Sequence, residues 1–285
     1  MNRIDLLRKI YADKGLTREA VLLCRQIVCE HYRKHGRSLP WRETLDPYAI
    51  LVSEVMLQQT QVDRVKGRFE TFIATFPDFR SLATAPLEAV LTEWQGLGYN
   101  RRALNLKRCA QAVVEQHGGT LPSSISDLEK LPGIGSYTAR AVATFAFNLP
   151  SAFIETNIRA VFIHLLFPDQ LKVHDRELLP LVAETLDRNN PREWYNALMD
   201  YGVSLKKLHG NPARRSAHHA RQSPFKGSNR ELRSQILKVI LEDTNVTLSN
   251  IARKLQRDDT KVRRILEQLQ EEGFIVVQNE RFSVP

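Results

Sequence analysis

Apolar residues recur along most of the chain at spacings of three and four, the interval that lines one face of an α-helix. In residues 1 to about 35, Ala20, Leu23, Ile27, Val28 and Tyr32 mark one such stripe, predicting one or two helices. The segment Ser38-Leu-Pro-Trp-Arg-Glu-Thr-Leu-Asp-Pro-Tyr interrupts it with two prolines and supplies aromatic anchors. Helix resumes from Ala49 through Ser53-Glu-Val-Met-Leu-Gln-Gln-Thr-Gln-Val, where a glutamate and three glutamines stand in an otherwise core-like run. Two short amphipathic helices follow, Val65 to Phe76 and Leu82 to Trp94, around Pro77 and Pro86. The turn Gly96-Leu-Gly-Tyr-Asn carries Tyr99, and a helix from about Arg101 to His117 buries Leu104, Cys109 and Val113 until Gly118 and Gly119 end it. Leu131-Pro-Gly-Ile-Gly then reads as a tight hairpin between helices. The helix after it is apolar on most sides, with Ala139, Val142, Ala143, Phe145 and Ala146. Further helices are expected over about 157–167, 175–188 and 192–206.

No alternating strand pattern occurs before residue 270, so the fold class is mainly α. Residues 208–228, with Gly210, Pro212, Pro224 and Gly227, read as a linker between a helical domain of residues 1–207 and a smaller domain of residues 229–285. In the latter, Leu232, Ile236, Val239 and Ile240, then Leu248, Ile251, Ala252 and Leu255, then Val262, Ile265, Leu266 and Leu269 mark three helices. Thr247 suits the start of the second, and Asp258 and Asp259 the positive end of the third. Gly273-Phe-Ile-Val-Val-Gln-Asn-Glu-Arg-Phe-Ser-Val adds two short strands around an Asn-Glu turn. Three helices and a hairpin make a winged helix-turn-helix, whose third helix presents Lys261, Arg263 and Arg264 outward. A protein-docking module can be built in the same way.

Composition narrows the partner. Of 285 residues, 42% are hydrophobic and 26% charged, an ordinary soluble balance, and the net charge of +9 favours a polyanion. From residue 206 to 226 there are six Lys or Arg (Lys206, Lys207, Arg214, Arg215, Arg221, Lys226), three His and no acid, as suits a segment lying along phosphates or a solvated linker. No run approaches a membrane span, and the first residues lack a secretory signal, so a cytoplasmic, nucleoid-associated protein with no membrane partner is expected. Cys24, Cys29 and Cys109 are too few and scattered for a disulfide framework or a four-cysteine site and read as reduced packing residues. His209, His218 and His219 have no carboxylate or cysteine beside them, and no metal or cofactor is expected.

Candidate chemistry concentrates in two places. Gly133 and Gly135 let the chain turn and leave free N–H groups at the start of the next helix, an anion site suited to a nucleic-acid phosphate, although Gly-x-Gly also describes a plain helical corner. Glu155 emerges just past the buried helix, where a carboxylate is either paired structurally or poised for chemistry. Glu54 lies in the glutamine-rich helix, and a fold could bring the two together.

The segments Leu-Pro-Trp-Arg, Ser-Glu-Val-Met-Leu-Gln-Gln-Thr-Gln, Gly-Leu-Gly-Tyr, Leu-Pro-Gly-Ile-Gly-Ser-Tyr-Thr-Ala and Ala-Leu-Met-Asp-Tyr-Gly occur in the order seen in MutY-type adenine DNA glycosylases. Over roughly residues 20 to 206 the chain resembles that family, part of the helix-hairpin-helix superfamily that includes endonuclease III. The resemblance implies a base-excision enzyme that flips a mispaired base out of double-stranded DNA and hydrolyses its N-glycosidic bond. It makes Glu54 the general acid, a role that requires burial to raise a carboxyl's pKa. It places Tyr137 and Asn157 against the sugar and base and makes Gln59 and Tyr99 wedges in the stack, with Gln58 beside them. Gly133, Gly135, Ser136, Lys206, Lys207, Arg214 and Arg215 complete the expected DNA contacts. Tyr137 stands where lyases of the superfamily carry a Schiff-base lysine, which implies a monofunctional enzyme; separately, a monomer is expected.

Three departures accompany the resemblance. The family's catalytic aspartate falls at Glu155, whose extra methylene is expected to carry the carboxylate about 1.5 Å further from its helix. The four-cysteine iron-sulfur loop is missing, its ligand positions falling near Lys206, Ala213, Ser216 and Gln222. A winged helix replaces the domain that reads oxidised guanine in many relatives. The resemblance favours adenine opposite guanine or 8-oxoguanine. A thymine or uracil mismatch glycosylase and a non-catalytic DNA-binding protein are the alternatives.

Overall fold

The structure, a computed structural model, describes residues 1–220, 224–243 and 245–285. Among them are fifteen α-helices: α1 (Arg3–Lys14), α2 (Arg18–His35), α3 (Pro47–Leu57), α4 (Val62–Thr75), α5 (Phe79–Thr84), α6 (Leu87–Glu93), α7 (Arg101–His117), α8 (Ile125–Leu128), α9 (Ser136–Phe147), α10 (Thr156–Leu166), α11 (Asp175–Thr185), α12 (Pro191–His209), α13 (Asn229–Glu242), α14 (Leu248–Leu255) and α15 (Asp259–Glu271). Three short strands, β1 (Val246–Thr247), β2 (Val276–Gln278) and β3 (Arg281–Ser283), form the one small sheet among the described residues. The fold is thus mainly α, with a winged-helix-like C-terminal region.

Local chemistry sets most of the boundaries. The side chains of Thr17, Asp78, Ser124, Ser228, Thr247 and Asp258 each accept a backbone N–H at the start of their helix. Gly118, left-handed at φ +63°, ends α7 at His117 as expected. α12 runs on to His209, where Gly210 at φ +72° stops it, and α11 ends early, at Thr185, with the Arg25 guanidinium donating to the Thr185 and Leu186 carbonyls. The sheet order is β1-β3-β2, all antiparallel. Val277 pairs with Phe282 across a two-residue turn in which Asn279 and Glu280 both have positive φ, the geometry that matches strand twist. β1 was not legible in the sequence, since two residues carry no alternation.

The chain divides into two compact units. One comprises Met1–Ile50, Ser123–Glu129 and Gly135–Arg221; the other comprises Leu51–Pro122, Lys130–Ile134 and Gln222–Pro285. In the first, α10 is the central element: Ile158, Val161, Phe162, Ile163 and Leu165 are fully buried, and α1, α11 and α12 pack on it. In the second, α7 is central, with α5 and α6 packed against it, while α13, α14 and α15 pack on one another around Ile236, Ile240, Ile251, Val262 and Phe274.

Candidate active site

In the first unit the candidate residues Glu155, Asn157 and Lys206 come together at the start of α10. Glu155 is its N-cap: one carboxylate oxygen accepts the backbone N–H of Asn157 at 2.6 Å and of Ile158 at 2.9 Å, and the other faces Asn157 Nδ2 at 3.3 Å. The expectation that the longer side chain would carry its carboxylate away from the helix is therefore corrected. The extra methylene lets the chain fold back, because unsatisfied N–H groups at a helix start attract an anion. Asn157 Oδ1 in turn accepts from Lys206 Nζ at 2.7 Å. Burial pushes the Glu155 carboxyl above the usual carboxylate range, against the opposing pull of the two N–H groups and Lys206. Burial likewise lowers the Lys206 ammonium, with Glu155 pulling it back up. The position of this cluster is fixed by backbone. A Cβ built on Gly202 of α12 would stand 2.5 Å from the Asn157 carbonyl oxygen, so only glycine allows the two helices to meet there.

Tyr137, in the first turn of α9, meets Phe153 edge-on at 5.7 Å between ring centroids, and Phe153 stacks on Tyr195 at 4.0 Å. The Tyr195 hydroxyl donates to the Ser151 carbonyl at 2.8 Å, so the aromatic column has a fixed base. Ser136 is exposed, and Gly135, the N-cap of α9, offers its first turn no side-chain cap. The expectation that both glycines are needed for the turn holds for one: Gly135 sits at φ −84° with open space around it. Arg140 donates to the Glu129 carboxylate at 2.9 Å and to the Ser136 side chain, tying α8 to α9.

A second carboxylate in this unit was not singled out in the sequence. Asp200 of α12, its side chain 1% exposed, accepts from Arg37 at 2.7 Å and from both terminal nitrogens of Arg42 at 2.9 Å. Burial works against its charge, but the Arg42 and Arg37 contacts prevail and hold its pKa below the usual range. An aspartate amid Leu198, Tyr201 and Gly202 on a buried helix must have such partners, and that was the available signal.

Of the basic stretch, Lys207 and Arg214 are exposed. Arg215 donates to the carbonyls of Ile163, Phe167, Pro168 and Gln170, holding the end of α10, and Arg221 lies outside the described residues. The residues that stand where cluster ligands would fall do not fit an iron-sulfur group. Lys206 is bonded to Asn157, Ala213 is buried, the Ser216 hydroxyl accepts the His218 N–H, and Gln222 lies outside the described residues. Among the described residues no group of three His, Cys, Asp or Glu could hold a metal ion. Cys24 and Cys109 are buried thiols pushed up to about 12 by burial, and Cys29 is half-buried.

In the second unit Glu54 is 8% exposed on α3, between Ser53 and Val55. Just beyond it the C-terminal carbonyls of α3 converge on Arg102 of α7, a residue that no motif in the sequence selects. One terminal nitrogen of Arg102 donates to Val55 and Met56 at 2.8 Å and to Gln58 at 2.6 Å. The other donates to the Thr60 hydroxyl at 3.0 Å and to the carbonyls of Leu97 at 3.2 Å and Gly98 at 2.9 Å. Arg102 thus ties the glutamine turn to the Gly96–Tyr99 turn, and burial lowers its pKa to about 10. The exposed Gln59 and the part-exposed Tyr99 both have left-handed φ, +55° and +49°, a conformation uncommon outside glycine. Gly133 has φ +79°, and a Cβ on it would stand 2.6 Å from the Cβ of Asn105, so this turn requires glycine twice over.

Comparison with known proteins gives this arrangement a family. Residues 52–272 match the model of the HhH-GPD superfamily of base excision DNA repair proteins. The chain is similar to the adenine DNA glycosylase of Mycolicibacterium smegmatis, 30% identical over 264 residues that cover 86% of this chain and 89% of that one. It is 35% identical to that of Buchnera aphidicola subsp. Baizongia pistaciae over 66% of this chain and 54% of the other, and 34% identical to that of Homo sapiens over 61% and 34%. The chain spans about half the length of the Buchnera relative. Among solved structures it shares its fold with a thermostable thymine-DNA glycosylase, at a TM-score of 0.59 and 23% identity over 74% of this chain and 93% of that one. It also shares it with endonuclease III in a trapped DNA covalent intermediate, at 0.53 and 20% over 76% and 94%. These likenesses concern the fold alone. Among the described residues no helix is long and apolar enough to cross a membrane. The hairpin at Gly133, the glutamine turn beyond Glu54 and the capped start of α10 therefore belong to a member of the HhH-GPD superfamily of base excision DNA repair proteins, in the family of the adenine DNA glycosylases.

Proposed function

We propose that this chain is a DNA N-glycosylase of base excision repair that removes adenine opposite guanine or 8-oxoguanine from double-stranded DNA and leaves the strand intact. The observation that carries the reading is the Glu155 carboxylate at the start of α10, with a half-buried lysine near it and a chain of this family around it. Glu54 donates a proton to the ring of the flipped adenine. The bond between C1′ and the base nitrogen breaks with its electron pair leaving on the base, and the positive charge left on the deoxyribose faces the Glu155 carboxylate. Tyr137 and Asn157 bound the sugar, and water adds to C1′ and loses a proton. Raised above its ordinary pKa, Glu155 is also suited to take that proton. Gln59 and Tyr99, with Gln58 behind them, fill the gap in the stack. Gly133, Gly135, Ser136, Lys207 and Arg214 meet phosphates, while Lys206 and Arg215 act by holding α10. Tyr137 in place of a lysine supports hydrolysis without a lyase step.

The test is a panel of duplexes with each base opposed to every other, plus 8-oxoguanine and uracil, scored for alkali-labile sites and for borohydride-trapped adducts. Product on adenine-containing mispairs without an efficient adduct is expected, and Glu54→Gln should lower its rate by about 10²–10⁴-fold while duplex binding survives. Product confined to thymine or uracil opposite guanine would reassign the base. Binding without product would leave a non-catalytic DNA-binding protein.

A further inference from the structure

Side chains of the C-terminal region of the second unit reach the beginning of α7 and Tyr99 just before it. Arg230, in the first turn of α13, donates from Nη1 to the Tyr99 hydroxyl at 2.6 Å, and its guanidinium carbon lies 5.7 Å from the ring centroid. The Arg102 guanidinium carbon lies 5.6 Å from the same centroid. Two cations from different helices therefore hold one aromatic ring that is 36% exposed and carried on a left-handed backbone. The same face is fastened beside them: Glu272, just after α15, accepts from Arg101 at 3.0 Å and from Arg233 at 2.8 Å. The Arg101–Glu272 pair thus already ties the module to the start of α7, while the Arg233 pair is internal to the module. The Arg230 contact adds control over one side chain.

An exposed tyrosine at a loop tip samples several rotamers, and freezing it on insertion between bases costs affinity. A ring fixed beforehand avoids that loss only where insertion occurs, at a mispair that opens, and so widens the gap between mispaired and paired duplex. We propose that Arg230 is a positioning residue for Tyr99, through which the winged-helix-like region takes part in telling mispaired from paired DNA. This rests on the reading of Tyr99 as a stack-filling residue.

The test uses the full chain and measures duplex dissociation constants, at fixed salt, for a mispaired and a fully paired duplex of one sequence. Wild type is compared with Arg230→Ala, Arg230→Lys, Tyr99→Phe and the Arg230→Ala/Tyr99→Phe double variant. The ratio of the two constants should fall about tenfold in Arg230→Ala, fall similarly in Tyr99→Phe, fall no further in the double variant, and recover in part with lysine. Multiplying effects in the double variant, or equal weakening on both duplexes as a plain phosphate contact gives, would overturn the proposal. So would sharper discrimination in Arg230→Ala, which would mean that the arginine parks the ring. Thermal unfolding of each variant shows that the fold is kept. Excision is scored separately: discrimination of this pattern without base release would remove the glycosylase reading and keep the positioning role.

Discussion

Two carboxylates of the first unit, Asp200 and Glu155, are drawn in from water, the first buried and the second half-buried, and the protein treats them in opposite ways. Asp200 is met by two guanidinium groups in a fork and is held ionised below its ordinary pKa. Glu155 is met by partial charges, two backbone N–H groups and an amide, with one ammonium beyond, and its pKa rises. A full ion pair satisfies a charge and leaves it nothing further to do. Partial satisfaction leaves an anion that can answer a positive charge appearing elsewhere, which is what a glycosylase needs beside its sugar. The contrast separates a carboxylate that holds α12 to the Arg37–Arg42 segment from the one on which the proposed function rests.

The largest expected effect is on the paired group. Asp200→Asn leaves Arg37 and Arg42 without their counter-charge and should destabilise the protein by about 3–5 kcal/mol in chemical unfolding, with any activity loss following the loss of fold. Because the folded pKa lies below the ordinary 3.8, this contribution is in full above that value and is lost as pH falls through the folded pKa. The deficit of the variant should therefore narrow only in strong acid. The Glu155 share runs the other way. The folded protein holds that proton more tightly than the unfolded chain, so its contribution declines as pH rises from about 4.5 toward the folded value.

Next comes Glu155→Gln, which keeps an acceptor for the helix start but removes the charge. Single-turnover excision should fall about 10²–10³-fold while the unfolding midpoint moves little. Equal losses of stability in the two variants would abolish the distinction between them. The smallest effect is a displacement rather than a loss. Lys206→Met removes the cation that favours ionised Glu155, so the acid limb of the pH–rate profile should move to higher pH. An unmoved limb would mean that another group controls it.

What the sequence could disclose follows from range. The stripe on α7 and the glycines after it are local, and the helix has the expected bounds; the Asn279-Glu280 turn and the caps at Thr247 and Asp258 are local too. Side-chain partners are not. Arg42 meets Asp200 across 158 positions and Arg230 meets Tyr99 across 131, and no periodicity records such pairs. Charge counts failed differently: Arg215 lies in a basic run suited to phosphates, yet its guanidinium is taken up by carbonyls at the end of α10. The residues around Glu155 came from the motif, but the direction of its carboxylate depended on free N–H groups that only the folded helix presents.

The bare backbone contact between Gly202 and Asn157 sets the limits of redesign. Where two helices touch without side chains, no substitution can shorten their separation, and even alanine forces them apart. Under the proposed function, a variant meant for a larger base would have to be altered at Tyr137 and Phe153, because the backbone contact that carries Asn157 and Glu155 has no slack to surrender.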